Sequence, residues 1–377
     1  MTYAVGMPHA HGSAAIVAKI ANRIGISERT VLRVLSQPTI DPRPSIRERA
    51  ERIRALAAKL GYRASTAARS ARSGRLPLVA LVQRTETDFM PFQLTRGLTE
   101  ALAASQRELV VTRVPGEVVN DPSKAPLVLR EVLASGLVMH QAWDITEAVR
   151  KAVADLGIPA VWVNTRGGGD CVFPDELSGT GQLTTELLRL GHRRIAWFAC
   201  RLQWESDGPT HYSIAERQLG YEQAMAKAGL PTRRHERTYR AMPRTGPERV
   251  GLFTHQELAV PWGTPGDDRI AYASEVLRGP DRPTALVCSS ADAAGPALVA
   301  ARILGLRVPE DLSVCCIDHE VFCSSGFRPT TGVIPFRECG HAAIARLDEL
   351  LAGRRPKRPI SVPYSTFEGS TIAAVPA

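Results

Sequence analysis

No apolar run in this 377-residue chain approaches the roughly 18 consecutive residues that a membrane span requires. A membrane partner is therefore not expected. Paired or clustered cysteine is also missing. The seven cysteines, Cys171, Cys200, Cys288, Cys315, Cys316, Cys323 and Cys339, are odd in number and form no CxxC. That argues against a disulfide framework and reads as small buried hydrophobes in a reducing cytoplasm. Catalytic signatures are lacking as well: there is no GxSxG, no HExxH and no phosphate loop. The glycine run Gly167–Gly169 is followed by no GK[ST] and reads as a turn. The neighbours Asp318 and His319 do not make a catalytic pair by adjacency. The opening MTYAVGMPHAHGS has no basic region leading into an apolar core, so no secretory leader is expected. Its His9 and His11 read as part of a flexible start rather than a metal site. Neither enzyme activity, cofactor nor metal is expected.

Acidic residues are scarce in one place. Residues 1–75 hold 4 acidic against 14 basic side chains, while the remainder holds 34 against 33. The net charge of +9 is thus an excess carried by the first fifth of the chain, on a nearly neutral body. Such asymmetry is the electrostatic footprint of a nucleic-acid-binding head.

Within that head, Val17, Ile20, Ala21 and Ile24 recur at helical spacing. Gly25 stops the helix and Ser27 caps a second one. On it Val31, Val34 and Leu35 face inward, leaving Glu28, Arg29 and Arg33 on the outer face. Two short helices joined by a glycine turn form a helix-turn-helix, whose second helix enters the DNA major groove. Glu28, Arg29 and Thr30 would sit in its first turn, where Arg pairs with guanine and Glu accepts from cytosine. The same pattern also fits a helical hairpin with a solvated charged face. A third helix, about Ser45 to Leu60, carries the stripe Ile46, Ala50, Ile53, Ala57 and Leu60, with Arg47, Arg49, Arg52 and Arg54 mainly outside it. The following YRASTAARSARSGR, with Arg63, Arg69, Arg72 and Arg75, could by itself be a disordered linker.

From Leu76 the texture changes. The run LPLVALV, 76–82, reads as a strand buried on both faces. Helices are expected near 94–104, 127–133 and 146–156, with strands near 109–111, 137 and 159–163. The rhythm then restarts, with helices near 178–190, 215–228, 270–277, 293–304 and 338–351 and strands at 194–199, 284–288 and 312–318. Residues 231–265 fit no element well. Two successive β/α alternations imply an α/β body of two doubly wound parallel-sheet lobes behind the all-α head. Ligands of such sheets bind beyond the carboxyl ends of the strands.

In order and spacing, IANRIGISERTVLRVLS, AAKLGYR, ARSARSGR, LLRLGHRRIAWFA, ERQLGYEQAM, RPTALVCSS, LGLRVPEDLSVCCID and RPTTGVIPF resemble the lactose-repressor (LacI/GalR) family of bacterial transcription regulators, over about residues 16–375. The resemblance implies an extension at 1–15, a helix-turn-helix domain at 16–62, a hinge at 63–75 and an effector-binding and dimerisation body at 76–377. The body would be of the periplasmic-binding-protein-like type. Lobe 1 would comprise about 76–173 and 334–360, and lobe 2 about 174–333 and 361–377. It also implies a cytoplasmic homodimer that binds double-stranded operator DNA, expected to repress, under control of a sugar-like effector held between the lobes. Alternatives are a solute-binding protein, or a regulator answering to a purine or a partner protein.

Carried over residue by residue, the resemblance assigns DNA contacts to Ser27, Glu28, Arg29, Thr30 and Arg33, with hinge contacts from Arg63, Arg69, Ala71 and Arg72. Effector contacts fall to Phe89, Phe92, Asn164, Arg217, Ser290, Asp292, Asp318 and Phe336. An Arg, an Asp and an Asn over aromatic faces suit a polyhydroxylated ligand, although Arg217 and Asp318 could instead form a structural ion pair. The chain departs from the family pattern at several positions. The hinge has Ala64, Ser65 and Ala71 where Pro-Asn and a wedging Leu are usual, and a methyl group is a poor minor-groove wedge. Leu32 replaces a phosphate-binding Ser, Ser290 and Ala291 replace an Asn-Asp pair, and Glu368 replaces an Arg.

Overall fold

The computed structural model describes residues 10–36, 44–60, 77–84, 91–105, 107–125, 129, 134–140, 146–203, 211–240, 265–321 and 326–375. The chain divides into two units, Met1–Leu78 with Leu133–Ser135, and Val79–Val132 with Gly136–Ala377. Among the described residues no helix is long and apolar enough to cross a membrane.

Among the described residues the first unit contains three helices, α1 (Ala10–Ile24), α2 (Glu28–Ser36) and α3 (Pro44–Lys59). Their apolar stripes meet in a small core of Val17, Ile20, Ala21, Val31, Ile53 and Ala57. Gly25 lies at φ +73°, and the N–H groups of Gly25 and Ile26 both donate to the Ala21 carbonyl, at 2.9 and 3.0 Å. This left-handed exit satisfies the last carbonyls of α1 and turns the chain into α2. Leu32 is half-buried against the same core, so its departure from the polar family residue adds packing.

The second unit is built on two six-stranded sheets. Sheet 1 comprises β1 (Leu78–Arg84), β2 (Glu108–Val114), β3 (Gly136–His140), β4 (Ala160–Val163), β5 (Cys171–Pro174) and β11 (Ile360–Val362), in the order β11-β5-β4-β3-β1-β2. Sheet 2 comprises β6 (Ile195–Gln203), β7 (Arg234–Arg240), β8 (Ala285–Cys288), β9 (Ser313–Asp318), β10 (Thr330–Val333) and β12 (Ser365–Phe367), in the order β12-β10-β9-β8-β6-β7. Neighbouring strands run parallel, with Val79 opposite Gly136 and Ile195 opposite Ala285, whereas β12 is antiparallel to β10. Central strands are buried end to end: β3, β4 and β8 are continuous apolar runs or nearly so, as sheets covered on both faces require. The edge strand β2 is largely exposed and leaves the adjacent Val110 and Val111 open to solvent.

Among the described residues the helices of this unit are α4 (Phe92–Ala103), α5 (Gly116–Val119), α6 (Glu147–Ala154), α7 (Glu176–Arg189), α8 (Tyr212–Lys227), α9 (Pro265–Leu277), α10 (Ala291–Ile303) and α11 (Phe336–Leu351). The chain passes between the lobes three times: from β5 into α7, from β10 into α11, and from β11 into β12. Helices α7 and α8 cross so closely that a Cβ on Gly220 would lie 2.2 Å from the Leu177 carbonyl oxygen. The six described cysteines are buried thiols. Sequence reasoning missed β5, β7, β10, β11 and β12, each short, at an edge or at a crossing. Its helix near 127–133 lies almost wholly outside the described residues.

Candidate functional site

In the head, Ser27 ends the turn and caps α2. Its hydroxyl accepts from the Thr30 N–H at 3.3 Å and lies 2.9 Å from the Thr30 hydroxyl. Its carbonyl accepts from Thr30 and Val31, at 2.9 and 3.2 Å. Val31 is fully buried and anchors the helix, leaving Glu28, Arg29 and Arg33 exposed. Glu28 lies where the helix dipole favours an acid. On α3, Arg47, Arg49 and Arg52 are exposed and Arg54 is half-buried. Arg47 approaches Glu51 at 3.9 Å. The described head segments, 10–36 and 44–60, carry nine Lys and Arg against three Glu. Arg63, Arg69, Ala71, Arg72 and, in the body, Phe89 lie outside the described residues.

In the body, the carboxyl ends of the two sheets face each other across a cluster of polar and aromatic groups. Asn164 follows β4 directly and adopts φ +63°, a conformation that Asn tolerates better than most residues. Its N–H donates to the Val172 carbonyl at 2.9 Å, and its own carbonyl accepts from His211 Nε2 at 2.8 Å. A carbonyl only accepts, so Nε2 of His211 carries the proton. Its Nδ1 then accepts from the Ser213 hydroxyl at 2.7 Å and the Ser213 N–H at 3.4 Å, capping α8. Arg166, from the turn after β4, lies over the rings of Phe173 and Tyr212 and pairs with Glu216 at 2.5 Å.

Arg217 lies one turn further along α8. It does not pair with Asp318. Its Nε donates to Glu176 Oε2 at 2.6 Å, its Nη2 to Glu176 Oε1 at 3.2 Å, and its Nη1 to the Ser289 carbonyl at 3.3 Å. Glu176, the first residue of α7, is only 1% exposed and also accepts from the Tyr364 hydroxyl. Burial alone would lower the Arg217 pKa, but Glu176 and Tyr364 outweigh it and raise it. Burial, followed by the Glu176 charge, pushes the Tyr364 phenol far up. Both groups are thereby held in the forms that bind the carboxylate.

Asp318, at the end of β9, is engaged elsewhere. Its Oδ2 accepts from the Ala291 N–H at 3.1 Å, at the first residue of α10. Its Oδ1 accepts from the His319 N–H at 2.7 Å and lies 2.6 Å from His319 Nδ1. Ser290 is the N-cap of α10 without a side-chain cap bond, and Asp292 is in the first turn. Pro296 inside α10 has no N–H for the Asp292 carbonyl, which Arg269 Nη1 reaches instead at 3.5 Å. Phe336, at the second crossing, is buried with two histidines edge-on to it: His140 at 6.2 Å from sheet 1 and His319 at 6.4 Å from sheet 2. Phe92 begins α4 and is 64% exposed.

Five residues that sequence reasoning did not single out belong to this cluster: Gln83, His140, Glu176, His211 and Tyr364. Gln83, next to last in β1, and His140, the last of β3, lie on the strands flanking the point where the order of sheet 1 reverses. They meet at 3.4 Å, Gln83 Nε2 to His140 Nδ1. Both are 2% exposed, and among the described residues Gln83 Oε1 and His140 Nε2 have no hydrogen-bond partner. Burial, helped by nearby His211, pushes the His140 pKa down to about 4. One signal for these residues was present: a polar side chain closing an apolar strand, as in GLVMH and CVFPDE. A separate depression of about 350 Å³ opens at the opposite strand ends, beside Ala160 and Asp170, and holds none of these groups.

The periplasmic binding protein-like domain matches residues 184–372. The model for periplasmic binding proteins and the sugar binding domain of the LacI family matches residues 76–240. An uncharacterized HTH-type transcriptional regulator in the aml 5' region of Streptomyces limosus is 30% identical over 382 residues, covering 97% of each chain. The maltose regulon regulatory protein MalI of Escherichia coli (strain K12) is 30% identical over 184 residues, 48% of this chain and 52% of that protein. That match spans about half of the relative's length. Among solved structures, the Lac repressor bound to ONPG in the repressed state superposes with a TM-score of 0.68 at 21% identity. It covers 93% of this chain and 98% of that one.

Proposed function

This chain belongs to the LacI family, and from that premise we propose that it is a cytoplasmic, homodimeric, DNA-binding transcription regulator, a repressor released or strengthened by a sugar-like effector. It is a regulator and not an enzyme. The head, 16–62, reads a double-stranded operator through Glu28 and Arg29 on bases, with Ser27, Thr30 and Arg33 at the backbone. Arg63, Arg69, Ala71 and Arg72 in the hinge, 63–75, add contacts to phosphates and the minor groove. Arg29 serves specificity because a guanidinium pairs bidentately with guanine. The surrounding arginines supply sequence-independent affinity.

The effector is held by the body, 76–377, between the lobes. Asn164, Arg217, Ser290, Asp292, Asp318 and Phe336 take part, with Phe89 and Phe92 at the lobe 1 side. The observation that carries this reading is the buried pair Gln83 and His140, with an acceptor and a donor lacking partners among the described residues. An unsatisfied buried polar group costs about 1–3 kcal/mol, which a ligand bearing hydroxyls would recover. A relative named for the maltose regulon points to the same ligand class. Because the chain crosses three times between the lobes, an effector that binds one lobe arrangement better than another shifts the population and with it DNA affinity.

The test is fluorescence-anisotropy binding of the full chain to DNA upstream of its own and neighbouring genes, with and without a panel of free sugars. Saturable, salt-sensitive binding that a sugar alters by fivefold or more is expected. Binding that is indifferent to sequence and to every sugar would refute the reading.

A further inference from the structure

We propose that the inter-lobe site takes an uncharged, hydroxyl-rich ligand and rejects anionic ones, because Glu176 and Asp318 already fill its two anion-accepting positions. The proposal rests on the reading that an effector binds between the lobes, and it narrows the chemical class of that effector.

Two features of such a site would ordinarily hold a phosphate or carboxylate. One is a buried guanidinium, whose planar fork matches a two-oxygen anion. Here the fork of Arg217 is spent on Glu176, with Nε at 2.6 Å and Nη2 at 3.2 Å from the two carboxylate oxygens. The other is the N-terminus of a helix following a strand, where backbone N–H groups and the dipole favour negative charge. The 13-residue α10 follows β8 in this way, and its first N–H, on Ala291, is taken by Asp318 Oδ2 at 3.1 Å. Each anion seat is thus occupied by a carboxylate of the protein itself.

The remaining charge works in the same direction. Arg166 is committed to Glu216, so this guanidinium too is matched by a carboxylate of the protein. The Glu216 pKa is raised, by burial first and by the Glu176 and Asp175 charges besides, despite Arg166. A guanidinium already matched by a carboxylate offers an incoming anion no unpaired charge. Hydroxyl groups need no such charge. They can donate to Asp318 and to Gln83 Oε1 and accept from His140 Nε2, while the Phe336 ring offers an apolar face.

The test uses the full chain and the melting transition reported by tryptophan emission. All five tryptophans, Trp143, Trp162, Trp197, Trp204 and Trp262, lie in the body, so anions bound by the basic head contribute little. The probes are inorganic phosphate, and glucose and ribose each beside its terminal phosphate ester. The wild type should ignore all three phosphates at millimolar concentration. Glu176→Gln, which frees the Arg217 charge, should bind inorganic phosphate at least tenfold more tightly, and Glu176→Gln combined with Arg217→Gln should lose that gain. Should Glu176→Gln fail to fold, Asp318→Ala opens the Ala291 N–H and should admit phosphate on its own.

The inference is overturned if the wild type is stabilised by phosphate or a sugar phosphate and Arg217→Gln abolishes the effect. It is equally overturned if folded Glu176→Gln and Asp318→Ala both still refuse phosphate. If phosphate is excluded and then admitted as described while no free sugar binds, charge exclusion stands and the sugar reading fails.

Discussion

His140 offers the most quantitative check on the inter-lobe geometry. It is 2% exposed, and burial first, then His211, depress its pKa to about 4 from the ordinary 6.5. The unfolded chain therefore takes up this proton before the folded one does. The associated stability is fully present above pH 6.5 and is lost as pH falls through the folded pKa. A pKa displaced by one pH unit corresponds to about 1.4 kcal/mol, so the full effect is about 3 kcal/mol, of which roughly 2 kcal/mol should disappear between pH 7 and pH 5. His140→Gln keeps a polar side chain at the end of β3 but cannot titrate. Urea unfolding followed by tryptophan emission, at pH 7, 6 and 5, should give the wild type a steeper loss of stability than the variant. The slope difference is the readout, so a constant cost of the substitution cancels. Parallel pH profiles for the two proteins, or a His140 ring titrating near 6.5 by NMR, would refute the burial argument.

The remaining expectations concern the head and the helix crossing. Arg29→Ala should cost roughly 1–3 kcal/mol on the preferred operator and relax choice at one base pair. Site selection that returned an unchanged motif would contradict the assignment. Ser27→Ala removes the cap bond to Thr30 and should destabilise α2 by about 0.5–2 kcal/mol. Amide exchange in 28–33 would report this as faster exchange, and unchanged protection would mean that the cap is idle. Gly220→Ala forces a Cβ to within 2.2 Å of the Leu177 carbonyl and should cost roughly 1–3 kcal/mol. An unaltered urea midpoint would show that the α7–α8 crossing is looser than this close approach implies.

Much of this protein is dictated by local pattern. A helix that buries one face must repeat its apolar residues every three or four positions, so the spacing of Val17, Ile20 and Ala21 is enough to disclose α1. Central strands of a covered sheet must be apolar throughout, so LVALV and ALVC are equally plain. Charge asymmetry needs no fold at all, because it is a property of composition along the chain. Resemblance of ordered motifs named the family. The tertiary structure decided what depends on distant segments meeting. The strands at the crossings, such as β11 and β12, are three residues each and too short to carry a period. Strand β7, RHERTYR, is strongly polar and half of an edge pair, so its pairing with β6 rather than its own composition makes it a strand. The partner of Arg217 was decided in the same way. Asp318 was the plausible acid by sequence, yet the chain returns from its first crossing with Glu176 and from its third with Tyr364. Both converge on the guanidinium's side of the site, while Asp318 turns to the first N–H of α10. Ion-pair choice in a buried site follows from which carboxylate the backbone delivers within hydrogen-bond reach, and residues 41 positions apart are brought together only by the topology.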